Sequence, residues 1–235
     1  MFRFLKDKKD WINQGGVITQ NHMILSDYED NAGEMKGHYF HQDLLVAKLI
    51  YEAQPKRHVD IGSRIDGFVA HVASFREIEV LDIRPLEKSE HKNIKFIQAD
   101  LMSSLNLGFV DSISCLHVIE HFGLGRYGDQ IDIDGHIKGI DNLINMLSYD
   151  GTLYISFPIS QEDEVHFNAN RVFKADTILK LPSIKENMKL IRFDYVNQFG
   201  RLYTDVSLKD LSIDTRNNCG IYTFKKIKDR KNIKI

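Results

Sequence analysis

Arg57-His58-Val59-Asp60-Ile61-Gly62-Ser63-Arg64-Ile65-Asp66-Gly67 opens with a short apolar run and breaks at a glycine. That pattern predicts a strand over Arg57–Ile61, a sharp turn, and a helical stretch from Phe68 to Ser74. Downstream, Glu79–Ile83, Ile94–Gln98 and Val110–Val118 carry further strand signals. Ile137–Leu147 spaces its apolar residues as an amphipathic helix, and Asp150-Gly151 turns it into a strand over Thr152–Phe157. Upstream, Leu45, Val46, Leu49, Ile50 and Ala53 share a helical face in His41–Ala53, which Pro55 ends. Strands alternating with helices imply βαβ units and a mostly parallel sheet covered on both faces. Residues 1–35 show no clear periodicity and are expected as an irregular arm. Beyond Pro158 the elements weaken until Ile221–Phe224, a final strand before a basic tail expected to be solvated.

The chain has 235 residues, 43% hydrophobic and 27% charged, with a formal net charge of −2. One domain of soluble globular character fits that length and composition, and intrinsic disorder does not. No apolar run reaches membrane-spanning length, and the start, residues 1–11, lacks the apolar segment of a secretion signal. Near-neutral charge argues against a dedicated nucleic-acid partner. Cys115 and Cys219 are too few for a disulfide framework. A cytoplasmic protein is expected, and a homo-oligomer is compatible with the sequence.

In open parallel sheets ligands bind beyond the carboxyl ends of the strands. Gly62 permits a tight turn and close backbone approach there. The turn lacks G-x-G-x-x-G and carries Asp60 and Asp66, so a pyrophosphate is a poor ligand and a neutral or cationic group a better one. Asp82, closing the second strand, can accept both hydroxyls of a ribose or pair with Arg84. Asp100, after the third strand, can hold an adenine amino group.

D-x-G at the first strand, acids closing the second and third, and a polar-aliphatic fourth strand resemble the class I S-adenosylmethionine-dependent methyltransferases over Val59–Pro158. The resemblance implies a Rossmann-like α/β fold with a seven-stranded sheet, comprising residues 57–158 as cofactor core and 159–235 as acceptor side and last strands. It implies S-adenosyl-L-methionine as cofactor, bound by Asp60, Gly62, Ser63, Asp82, Ile83, Asp100, Leu101, Leu116 and His117. Ser63 and Arg64 stand where the usual first motif has a further glycine. Three longer strings, Gly37–Leu44, Ser114–Asp129 and His166–Phe173, resemble a bacterial family of unknown function with a methyltransferase-like core, some members of which sit among surface-polysaccharide genes. That resemblance implies O-methylation of a sugar or sugar nucleotide in capsule biosynthesis.

His117-x-x-Glu120-His121 lies where the fourth strand leaves the sheet. On a helical turn these three would share one face and could ligate a divalent ion. The string resembles the E-x-x-E-H motif of metal-dependent O-methyltransferases, with His117 replacing the first Glu and His166 as the remote ligand. Manganese, iron or magnesium is the implied ion. Without a metal, His117 or His121 is the candidate general base, with Glu120 beside them. The family strings also nominate Tyr39, Gln42, Arg126, Tyr127, Asp129, Asn168 and Arg171 as acceptor contacts. Tyr39 and Gln42 are expected to cover the site from the N-terminal side. Trp11, Phe193, Tyr195 and Phe199 are expected in core or lid packing.

Overall fold

The computed structural model describes residues 1–88, 90–103, 108–211 and 217–227. It divides into two compact units, Met1–Met35 and Lys36–Ile235. The first unit is more regular than its sequence suggests, because α1 (Phe2–Asn13) is a full helix. Within it Trp11 Nε1–H donates to the Val17 carbonyl at 3.3 Å, and the Arg3 guanidinium lies 4.2 Å from the centre of the Tyr28 ring.

The second unit runs α2 (His38–Ala53), β1 (His58–Ile61), a helical turn leading into α3 (Ala70–Ala73), β2 (Ile78–Asp82), β3 (Ile94–Gln98) and β4 (Val110–Leu116). It continues with α4 (Gly135–Met146), β5 (Leu147–Ser160), β6 (Glu164–His166), β7 (Asn170–Lys174), α5 (Thr177–Lys180), α6 (Pro182–Asn187), β8 (Met188–Val196), β9 (Leu202–Tyr203) and β10 (Asn218–Lys226). The sheet order is β3-β2-β1-β4-β5-β10-β8-β9. Pairing is parallel from β3 to β5 and antiparallel from β5 through β10 to β9. This is the expected Rossmann-like α/β fold. Beyond the seven expected strands it adds the edge strand β9 and the hairpin β6–β7, whose β7 joins β5. These additions are two to five residues long, too short to give a period in the sequence.

The strands bury both faces, as a covered parallel sheet requires. Along β5, Leu153, Ile155, Phe157 and Ile159 join a core with Ile140, Leu143 and Ile144 of α4. Tyr154, on the opposite face, packs in a second core with Val46 and Ile50 of α2 and Val72 of α3. β10 alternates in the same way, Tyr222 and Phe224 against Cys219 and Ile221. Phe193 is in the core as expected, whereas Phe199 is 77% exposed. Nor is the start of the basic tail simply solvated. Lys226 Nζ donates to the carbonyls of Ile144 and Leu147 at 2.6 and 2.7 Å, a cation closing the C-terminus of α4. The rest of the tail lies outside the described residues.

Candidate active site

The carboxyl tips of β1, β2, β3 and β4 open on a cleft with two compartments. A narrow slot of about 60 Å³ is lined by Ile61, Gly62, Leu81, Asp82, Ile83, Arg84, Ala99, Asp100, Leu101, Met102, His117, Val118, His121, Phe122, Tyr127 and Asp129. Beside it lies a wider cavity of about 480 Å³ reaching Tyr39, Gln42, Asp43, Ser63, Leu116, Glu120, Arg126, Pro158 and Asn170. Gly62, Arg84, His117, His121 and Tyr127 line both.

In the slot, Gly62 has φ +65°, and a Cβ there would sit 2.9 Å from Val118 Cγ1. The glycine is thus required by the side chain that closes over it. Asp60 does not reach either compartment. It is fully buried, accepting Ser114 Oγ–H, Ser63 Oγ–H at 2.8 Å and Ser63 N–H at 3.0 Å. Burial pushes its carboxyl up to about 7. Behind it His58, held down to about 3 by burial, bonds Ser112 and Ser114. Asp60 therefore shapes the turn rather than touching a ligand, and Ser63 is tied to it. This corrects the direct-contact expectation for both residues in the slot, although Ser63 lines the wider cavity.

Asp82 is gripped by Arg84: Oδ1 accepts backbone N–H at 2.8 Å and Nε–H at 3.0 Å, and Oδ2 accepts Nη2–H at 2.6 Å. Of the two alternatives read in the sequence, the structure shows the Arg84 pair. Three of roughly four carboxylate lone pairs are used, leaving one for a ribose hydroxyl. Asp100 Oδ1 accepts Met102 N–H at 2.9 Å. Leu81, Ile83, Ala99, Leu101 and Phe122 give apolar walls. Flat apolar walls and strand-tip carboxylates with spare lone pairs match the chemistry of an adenosyl group, although at about 60 Å³ the slot is smaller than that group.

The wider cavity has a polar floor. His117, where β4 ends, is held at φ +55°, an uncommon conformation for a residue with a Cβ. Its N–H donates to Ser156, its Nδ1 lies 3.0 Å from Glu120 Oε1, and its Nε2 lies 3.2 Å from Cys219 Sγ. Burial pulls the His117 pKa down, but the Cys219 sulfur and the hydrogen bonds to Cys219 and Glu120 outweigh it and raise the value well above that of ordinary histidine. Both ring nitrogens are thus engaged by protein partners, Nδ1 by Glu120 and Nε2 by Cys219. His121 differs. Its Nδ1–H must be the donor to the Ala169 carbonyl, at 2.6 Å, which leaves an Nε2 lone pair 3.9 Å from Glu120 Oε1. Glu120 is 1% exposed, and its Oε2 has no partner among the described residues. Below, Gln42 donates to Asp43 and accepts from Ser156. Burial raises the Asp43 carboxyl.

The four expected metal ligands do not fit a metal. His166 sits on β6, bonded at 2.8 Å to Glu164 Oε2, and His117 has spent both nitrogens. Among the described residues no group of three or more His, Cys, Asp or Glu is arranged to hold an ion. On this floor Glu120 Oε2, His121 Nε2 and Asp43 Oδ2 keep unspent lone pairs among the described residues.

The rim is the loop after His121. Asp129 accepts the N–H groups of Gly123, Gly125 and Tyr127 at 2.8, 3.1 and 3.1 Å, so its carboxylate builds the loop at the edge of the slot. Tyr127 is flanked by Arg84 and Arg126, 4.7 and 5.2 Å from its ring centre. Arg171 is another correction: 5% exposed, it donates to the carbonyls of Phe122 and Ile133 and braces the loop from behind. Asn168 occupies the β6–β7 turn at φ +60° and lines neither compartment. Tyr39 and Gln42 do line the cavity, from the first turns of α2. Asp43, Asn170 and the buried partners Ser156 and Cys219 go unread as site residues in the sequence, which shows Arg84 only as a partner for Asp82. Arg84 alone had a local signal, its position two residues after Asp82.

Residues 75–226, nearly two thirds of the chain, match the family described as "Caenorhabditis protein of unknown function, DUF268", and the chain belongs to that family. No curated protein matches it. Among solved structures it is similar to the N-methyltransferase NodS of Bradyrhizobium japonicum WM9 in complex with S-adenosyl-L-homocysteine, at TM-score 0.54 and 15% identity, covering 85% of this chain and 90% of that one. It is also similar to the 1,6-didemethyltoxoflavin-N1-methyltransferase of Burkholderia thailandensis, at TM-score 0.54 and 13% identity over 97% and 89% of the chains. A third similar structure is the [4+2]-cyclase SpnF, at TM-score 0.55 and 14% identity over 93% of each. These likenesses show the class I methyltransferase fold.

Proposed function

We propose that the chain transfers a methyl group from S-adenosylmethionine to a hydroxyl of a small acceptor, a sugar or sugar nucleotide. The fold does not choose the reaction, since its neighbours include a cyclase beside methyltransferases. The floor of the wider cavity supports the choice. His121 Nε2 keeps a lone pair at the cavity with the buried Glu120 carboxylate 3.9 Å behind it, so a ligand there must bring a donor, and a hydroxylated acceptor brings several.

S-adenosylmethionine supplies an activated methyl group when bound. Asp82 and Asp100 would hold its nucleoside hydroxyls and amino group, between the apolar walls of the slot. His121 takes the acceptor hydroxyl proton on Nε2; its tautomer is fixed by Ala169 and its resulting positive charge is stabilised by Glu120. Glu120 orients the same or a neighbouring hydroxyl. Arg84 and Arg126 at the rim suit a phosphate or pyrophosphate carried by the acceptor. A place in surface-polysaccharide synthesis is supported by the family resemblance of the three strings alone.

Incubation with labelled S-adenosylmethionine and a sugar-nucleotide library, read as the mass gain of one methyl, tests the reading. Thermal stabilisation by S-adenosylhomocysteine should accompany it, about 2.7 kcal/mol at a hundredfold excess over Kd. Stabilisation with no mass gain across the library would favour a non-catalytic scaffold; no stabilisation would remove the cofactor as well.

A further inference from the structure

Cys219 stands in the middle of the sheet, on β10 between Pro158 of β5 and Val196 of β8, and is wholly buried. Its sulfur, His117 and Glu120 fall in line, 3.2 Å from Sγ to Nε2 and 3.0 Å from Nδ1 to Oε1. A cysteine, a histidine and a carboxylate in that order resemble a nucleophilic triad. Burial reverses the sense. Cys219 lines neither compartment, whereas Glu120 lines the wider one, so the sulfur is the closed end of the chain and the carboxylate its open end.

The order of constraint follows. Glu120 stands 3.9 Å from His121 Nε2 because its Oε1 is held by His117, and the His117 ring can hold it only while its other nitrogen has a partner. Rotation of that ring is checked by Cys219, whose own S–H can turn to Gln42 Oε1, 3.7 Å away. The His117 backbone is already fixed by its bond to Ser156.

We propose that Cys219 is a positioning residue, which acts through His117 to fix the Glu120 carboxylate beside His121 Nε2 at the acceptor. This rests on the wider cavity being the acceptor side, so the test has one readout that needs no acceptor. In the full chain, Cys219→Ala should leave S-adenosylhomocysteine affinity unchanged while moving the His117 ring nitrogen and Glu120 carboxyl NMR signals. With an acceptor in hand, kcat should fall about tenfold or more with KM for the cofactor unchanged. Cys219→Ser, whose oxygen can still accept from Nε2, should restore most of the rate and shift only the Nε2 signal. If the alanine variant does not fold, the serine variant decides alone, by that Nε2 shift. Unmoved His117 and Glu120 signals would overturn the proposal. Moved signals in a protein that methylates nothing would uphold the positioning and discard the methyl-transfer reading.

Discussion

The slot and the floor of the wider cavity are both rich in carboxylates and hydrogen bonds, but they are wired differently. Around the slot most bonds are local: Asp60 to Ser63, Asp82 to Arg84, Asp100 to Met102, and Asp129 to Tyr127 each span two or three residues, with Asp60 to Ser114 the long-range exception. On the floor they span the chain: His121 to Ala169 across 48 residues, His117 to Cys219 across 102, and Ser156 to Gln42 across 114. Local bonds form with the turn that carries them and fail one at a time. Long-range bonds exist only when the sheet is assembled, and they fail together.

Activity should expose that difference most strongly. His121→Ala is expected to lower turnover by about 10²–10⁴-fold, the usual worth of a general base, with S-adenosylhomocysteine binding intact. Adding Glu120→Gln should cost little more, because the two act as one unit. Multiplying losses in the double variant would break the floor into independent parts.

Next comes Gly123→Ala on the rim. At φ +75°, with a Cβ placed 1.9 Å from the Asp132 carbonyl oxygen, it should cost roughly 2–4 kcal/mol in denaturant unfolding. Near-normal stability would mean the loop can refold locally without its backbone contact.

A pH titration of stability sharpens the comparison beneath the slot. His58, held to about 3, and His136, held to about 4, bind fewer protons folded than unfolded up to about 6.5. Stability should therefore fall as pH falls from about 6.5 toward 4. Asp60, raised to about 7 from 3.8, binds more protons folded, so its share rises as pH falls through the same window. Asp60→Asn should steepen the acid loss by about 1.4 kcal/mol per pH unit. An unchanged slope would show that Asp60 does not titrate there.

The smallest effect is expected at the mouth of the slot. The Asp82–Arg84 pair is partly exposed, so Arg84→Ala should change stability by less than about 1 kcal/mol. A larger change, by denaturation, would mean that Arg84 is tied into the floor after all.

The same division decides what the sequence reveals. Strand tips, the glycine turn and the acids at 60, 82 and 100 are legible because each is a short pattern next to its own strand. Their roles are less legible: Asp60 looks like a ligand contact until its burial beside Ser114 is seen. On the floor, His117, Glu120 and His121 are visible as a spacing, but their chemistry is set by Cys219 and Ala169, which no local pattern links to them. The expected metal failed for that reason. Spacing placed three side chains together, but His117 spends its nitrogens on Glu120 and the distant Cys219, and His166 is held by Glu164. Arg171 failed likewise, as two loop carbonyls far along the chain claim its guanidinium.

The backbone twist at His117 has an evolutionary corollary. Glycine or asparagine tolerates that twist better than histidine, by roughly 1 kcal/mol. Either replacement would strip the buried Glu120 carboxylate of its partner, at a cost of about 3–5 kcal/mol, so even a screen for heat tolerance alone should keep histidine at this position.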